Sequence, residues 1–308
     1  MSQETVKQTN YGALTTLTTV FFFWGFIAAG NSVFIPFCKE YFHLDQFQSQ
    51  LIDFAFYGAY YLGALFLFAF GTLRGKDLVA SWGYKLSIVY GLLFSALGAA
   101  AMIVSVYMNV FSGMLLGLFI VALGFSLQQT SANPFMIALG DESTGSSRIS
   151  LGGGINSLGT TIGPLIVALA LFGTASAISD DMIKSLSMSK VIVLYACVGA
   201  LFLGVALLLI FSKKLPTGKE NQESTASTPN NNSGKKALGV LAVVTVLLIA
   251  CFIPVFGSYK SDGAKDLVQL KHDLELVSLD EQGEPLKELT SEQKRTQEKI
   301  QFHINEIS

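Results

Sequence analysis

Charge is scarce in this sequence. Asp, Glu, Lys and Arg make up 14% of its 308 residues, against about 25% in an ordinary soluble domain. Apolar residues make up 51%, with 24 Phe and 29 Gly. A chain so composed cannot cover a soluble surface and reads as an all-α integral membrane protein. Cysteine is scarce as well. Cys38, Cys197 and Cys251 lie far apart, with no CxxC pair and no Cys/His cluster. A disulfide framework and a metal site are therefore not expected, and the three thiols read as small packing residues. No nucleophile–base arrangement is present, so an enzyme is not expected. The run Gly152-Gly153-Gly154 is no phosphate cradle, because no strand precedes it and no Lys-Ser/Thr follows. No cofactor is expected. The net charge of -2 gives no argument for a nucleic-acid partner, and none is expected. The first apolar run is too long for a signal-peptide core and lacks a cleavage site after it, so it reads as an uncleaved first span.

What the sequence does have is seven apolar runs, each near the roughly 20 residues that cross a bilayer. They lie near Leu14–Pro36, Leu51–Leu73, Leu86–Tyr107, Ser112–Leu139, Ile149–Phe172, Val191–Phe211 and Ala237–Gly257. Basic residues in the short connections set the expected orientation. With the N-terminus inside, Lys7, Arg74, Lys76, Lys85, Arg148, Lys213, Lys214, Lys219, Lys235 and Lys236 are cytoplasmic, and only Lys39, Lys184 and Lys190 are outside. The expected location is the cytoplasmic membrane. Residues 1–212 form six closely spaced spans. Residues 213–235, rich in Ser, Thr, Asn and Gly, read as a flexible cytoplasmic linker. Residues 236–257 form a seventh span. Residues 258–308 read as an extracytoplasmic helical hairpin, with Leu267, Leu270, Leu274 and Val277 on one arm, a break at Asp280–Pro285, and Gln297, Ile300, Ile304 and Ile307 on the other. Thr290 and Gln293 have capping-box spacing at the start of that second arm.

The stretch from Gly124 to Phe135 departs from a plain span. It sets Gln128, Gln129, Thr130, Ser131, Asn133 and Pro134 inside an apolar run. Polar side chains at bilayer depth are costly unless they face a bundle interior or a watery cavity, so the stretch reads as one wall of a solute site. Glue between helices is the competing reading. At a rise of about 1.5 Å per residue, Gln129 and Asn156 lie roughly 14 Å and 11 Å from the inner ends of their spans. Trp24 and the pair Tyr60–Tyr61 lie at comparable depths, near the middle of a core about 30 Å thick, where secondary transporters hold substrate. Trp24 and Asn31 share a stripe, as do Asp53, Tyr57, Tyr60 and Tyr61, then Gln129 and Asn133, then Gly153, Asn156, Thr160 and Pro164. Aromatic rings suit the C–H face of a sugar, and amides both donate to and accept from its hydroxyls. The substrate-binding candidates are accordingly Trp24, Asn31, Tyr57, Tyr61, Gln129, Asn133 and Asn156. Asp53, the one acid placed inside a span, is the candidate for coupling to a proton or sodium ion; an exposed acid near a helix N-terminus is its competing reading. Gly159 and Gly163, with the triplet before them, permit close helix approach. Arg148 reads either as a latch to Asp141 or Glu142 or as a cytoplasmic anchor.

These residues resemble the major facilitator superfamily, in its fucose and glucose/galactose permease branch. The matching pieces are Phe22-Phe23-Trp24-Gly25, Ala55-Phe56-Tyr57, Gln129 to Phe135, Glu142-Ser143-x-Gly145-x-x-Arg148 and Asn156-Ser157-x-Gly159, within about Tyr11 to Pro216. The resemblance implies a six-helix N-terminal half of a twelve-helix carrier, with sugar bound between halves and import driven by an ion gradient. It places Trp24, Gln129, Asn133 and Asn156 on the cavity lining. The family pattern carries acids where this chain has Ser32 and Gln129, so its proton route does not transfer, and Asp53 is the nearest substitute. The expectation is secondary active sugar transport by alternating access, this chain supplying the N-terminal half, an extra span and a hairpin, and lacking its C-terminal six-helix half. The alternative is a non-transporting membrane sensor or a partner-binding truncated permease.

Overall fold

The computed structural model describes residues 8–42, 44, 46–173, 188–218, 231–259, 269–270, 272–274, 277–278 and 290–307. Among these every regular element is helical. The helices are α1 (Tyr11–Tyr41), α2 (Gln46–Arg74), the short α3 (Leu78–Trp82), α4 (Tyr84–Tyr107), α5 (Phe111–Ala138), α6 (Gly145–Phe172), α7 (Met188–Phe211), α8 (Asn231–Tyr259) and α9 (Ser291–Ile307). Seven of them are long and apolar enough to cross a membrane. α6 and α8 begin at Gly145 and Asn231, a turn or more before the apolar runs that announced them. Apolar runs mark only the lipid-crossing part of a helix, whereas helical hydrogen bonding continues into polar ends. The last residues of the expected linker, from Asn231, are thus helical, and residues 219–230 lie outside the described set.

The chain divides into two compact units, Met1–Leu241 and Ala242–Ser308, with the division inside α8. In the first unit α4 packs along α5 and α7, α2 along α5, and α1 chiefly along α6. Lipid tails are as apolar as leucine, so this packing depends on close approach rather than on escape from water. Glycine provides the approach. A Cβ built on Gly98 would lie 2.5 Å from the Val121 nitrogen, and one on Gly124 would lie 2.5 Å from the Gly91 carbonyl oxygen. α1 and α6 meet through Gly25, Gly159 and Gly163 in the same way. Gly153 and Gly154, expected to share that contact, instead have nothing within 4 Å of an added Cβ. Two hydrophobic layers fill the bundle. One centres on Leu17, Ile88, Phe125, Phe135 and Phe202, the other on Phe34, Phe37, Ile52, Met102 and Leu171.

Cations close the helix ends. The last carbonyls of a helix have no partner within it and attract positive charge. Lys85 donates to the carbonyls of Ile210 (3.3 Å) and Ser212 (2.9 Å) at the end of α7, and Lys190 donates to Leu171 O (2.9 Å) at the end of α6. Arg148 serves α5. It is buried in the first turn of α6 and donates to the carbonyls of Met136 (2.7 Å), Ile137 (2.6 Å) and Asp141 (2.7 Å) and to Thr144 Oγ1 (2.7 Å). The expected latch does not fit that geometry. The guanidinium bonds the Asp141 backbone rather than a carboxylate, and it is enclosed rather than solvated.

In the second unit the Thr290–Gln293 box forms. Thr290 N and Oγ1 each donate to Gln293 Oε1 at 2.9 Å, and Gln293 N donates back to Thr290 Oγ1 at 3.4 Å. Residues 269–270, 272–274 and 277 of the first arm are helical, while the Asp280–Pro285 break lies outside the described residues.

Candidate functional site

α5 is apolar on every side apart from its amides and hydroxyls, so its two adjacent glutamines divide the labour by direction alone. Successive helical residues point about 100° apart. Gln128 turns inward and is 0% exposed. Its Oε1 accepts from Trp24 Nε1 at 2.8 Å, its Nε2 donates to Ser95 Oγ at 3.0 Å, and Ser95 Oγ donates to Val121 O at 3.0 Å. That relay joins α1, α5 and α4 in the interior and gives both the amide oxygen and the amide nitrogen of Gln128 a partner. Gln129 turns to the boundary with α2, where Tyr60 Oη donates to its Oε1 at 2.5 Å. Its half-buried amide nitrogen donates no hydrogen bond among the described residues.

The other candidates take distinct places. Trp24 departs from its expected position on the cavity lining. It is 3% exposed, stacks near Phe21 with ring centres 4.5 Å apart, and commits its N–H to Gln128. Its neighbour Gly25 lies directly against α6, where an added Cβ would come within 2.0 Å of Asn156 O. Tyr57 and Tyr61 are 56% and 41% exposed, on either side of Tyr60. Asn133, one turn beyond Gln129, is exposed. Asn156 is half-buried on α6 and donates from Nδ2 to Phe21 O at 3.1 Å, which leaves its amide oxygen as an acceptor. Gly153, Ser157 and Thr160 are exposed around it. Asp53 is half-buried, one turn before Tyr57. The Asn31 side chain lies outside the described residues.

The site candidates do not share the interior cavity seen among the apolar helices. That cavity, of about 40 Å³, lies among Phe34, Phe56, Val121, Val167 and Tyr195, and its wall is almost wholly apolar. It is too small for a sugar and none of the candidate polar residues lines it. The polar candidates with free surface are carried instead on the open sides of α2, α5 and α6. Sequence reasoning passed over Gln128, Ser95 and Tyr60 as partners; the signal for Gln128 and Ser95 was the glycine spacing of Gly91, Gly98, Gly117 and Gly124, which sets α4 against α5. No group of three or more His, Cys, Asp or Glu able to hold a metal occurs among the described residues.

No family model matches the chain. Curated proteins do. The chain is 40% identical over 174 residues to a glucose/galactose transporter of Brucella abortus, covering 56% of this chain and 40% of that protein. It is 32% identical over 211 residues to a putative glucose/galactose transporter of Helicobacter pylori, covering 68% and 50%. It is 31% identical over 208 residues to the L-fucose-proton symporter of Escherichia coli, covering 64% and 46%. A crystal structure of the E. coli fucose:proton symporter superposes with a TM-score of 0.53 at 28% identity, over 68% of this chain and 50% of the other. A second, of the same transporter in the outward conformation and described as a major facilitator, gives 0.52 at 29% identity. The chain thus spans about half the length of the relatives it matches. With its seven apolar helices, this likeness makes it a multi-pass membrane protein.

Proposed function

Because the chain is a relative of the fucose and glucose/galactose transporters of the major facilitator superfamily, we propose that it carries one side of a sugar-transport site. The observation that carries this reading is the Tyr60–Gln129 pair. Tyr60 holds the amide oxygen, and the amide N–H groups are left to donate beside the exposed Tyr57, Tyr61 and Asn133. On α6, Asn156 is pinned through Nδ2 and offers its oxygen. A sugar hydroxyl both donates and accepts, so one amide N–H and one amide oxygen on separate helices can grip different hydroxyls of one ring. The tyrosine rings supply the apolar surface for its C–H face. Trp24 then acts from behind, as packing for α1. The relatives are about twice as long as the matched segment, and we take the opposite wall of the site to be a second six-span block. Alternating access is the rocking of one block against the other around this site. In this reading the N-terminus is cytoplasmic and Asp53 couples uptake to a cation gradient, either proton or sodium.

The test is uptake of labelled D-glucose, D-galactose and L-fucose by cells expressing the protein. We expect uptake of at least one sugar. Losing two charge-free hydrogen bonds that fix orientation, at about 1 kcal/mol or more each, should cut uptake about tenfold or more in the Gln129→Leu, Asn156→Leu double variant. Asp53→Asn should retain sugar exchange and lose accumulation against a gradient. Undiminished uptake by the double variant removes both amides from the mechanism, and normal accumulation by Asp53→Asn removes the carboxylate.

A further inference from the structure

The two amides of that site belong to different parts of the bundle. Asn156 travels with α1. Its side chain is bonded to Phe21 O, and its carbonyl lies where a Cβ on Gly25 would come within 2.0 Å. Gln129 travels with α5 and α2 through Tyr60. A sugar touching both amides senses the separation of the two parts. Trp24, one turn from Phe21 on α1, reaches across to α5 and donates to Gln128. Gln128 has no freedom to follow. A Cβ on Gly91 would meet its Cγ at 2.6 Å, so α4 lies directly against the side chain, and Ser95 holds the amide nitrogen. Ser95 in turn is wedged at Gly124, where an added Cβ would meet its Oγ at 2.2 Å.

We propose that Gln128 is a positioning residue for the sugar site. Acting through the Trp24 indole, it fixes the register of the α1–α6 pair against α5, and thereby the distance between Asn156 and Gln129. This rests on the sugar-site reading above. The geometric part stands apart from it, because the register exists whether or not a sugar binds.

Two readouts test it. The first is a distance distribution between spin labels on Thr130→Cys and Ser157→Cys, exposed neighbours of the two amides, with Cys38, Cys197 and Cys251 changed to Ala. The parent should give one narrow distribution. Gln128→Leu, which leaves the buried indole N–H without an acceptor, should shift or broaden it, and so should Trp24→Phe. The second is the concentration dependence of uptake for whichever of the three sugars the protein takes up. Gln128→Leu should raise the apparent KM about tenfold with the maximal rate, per folded protein, changed less than about twofold. Trp24→Phe should do the same, and the double variant no more than either alone, since both remove one tie. Unchanged label distances in both variants overturn the proposal, as do additive KM effects. If Gln129→Leu with Asn156→Leu leaves uptake intact, the sugar-site reading fails, and the label distances still decide the register claim on their own.

Discussion

Gly25→Val is expected to abolish the folded bundle. A Cβ at Gly25 would lie 2.0 Å from the backbone oxygen of Asn156 and 2.9 Å from its carbonyl carbon. Both obstacles are main chain, which cannot swing aside as a side chain can. Gly159 and Gly163 face the Phe22 and Phe26 carbonyls at 2.2 Å and 2.5 Å, so the seam has no slack one turn or two turns away. α1 must move off α6 along its length. Overpacking a close-fitted core costs about 1–3 kcal/mol and occasionally more, and here the loss includes the contact that holds the two helices in lipid. Folded yield, read by size-exclusion of the detergent-extracted protein, should fall to a small fraction of the parent. Gly25→Ala should show a milder form of the same defect. Gly153→Ala is the internal control. It sits on the same helix seam in sequence, but its Cβ meets nothing, and replacing a helical glycine gains roughly 0.5–1 kcal/mol. Near-parental yield for Gly25→Val would mean that α1 and α6 do not pack as described.

Arg148→Met is expected to come close behind. The substitution keeps the length and apolar body of the side chain and removes every donor. The carbonyls of Met136, Ile137 and Asp141 then lose their partner at the end of α5. Leaving a buried acceptor unpaired costs about 1–3 kcal/mol; the Met136 carbonyl is buried and the other two only partly so, and a total of about 2–4 kcal/mol is expected. Arg148→Lys should recover part of the loss, because one ammonium reaches fewer carbonyls than a guanidinium fork. Thermal unfolding of the purified protein checks this. The order parent, Lys, Met is predicted, and a Met variant that melts with the parent would contradict it. A latch between Arg148 and a carboxylate predicts something else, a Glu142→Gln variant as impaired as Arg148→Met.

Much of the architecture was legible because lipid imposes a simple rule. An apolar run of about 20 residues can satisfy its backbone in lipid only as a helix, and the seven runs from Leu14 to Gly257 each became one. The capping box at Thr290 was legible for a similar reason, since two side chains three apart satisfy each other locally. Which face of each crossing points where was far less so. α5 is apolar all round, so no hydrophobic stripe distinguishes Gln128 from Gln129, and only the packing of α4 against Gly124 decides which amide is enclosed. The burial of Trp24 was hidden for the same reason: its partner Gln128 lies on another helix, remote in sequence. The glycines of α6 were half legible. Small residues permit close approach, but Gly153 and Gly154 show that permission is not contact. Arg148 was not legible: its role rests on its bonds to the Met136 and Ile137 carbonyls of α5, which nothing local in the sequence announces.

The central claim is that the open sides of α5 and α6 form a watery surface that a sugar occupies. Gly153→Cys tests it most directly, because the residue is exposed and lies one turn before Asn156. With the exposed Cys197 and Cys251 changed to Ala, a membrane-impermeant thiol reagent should modify Cys at this position from the water phase, and the transported sugar should slow that reaction several-fold. A thiol reached only by lipid-soluble reagents, or one whose reaction no sugar alters, would contradict the account.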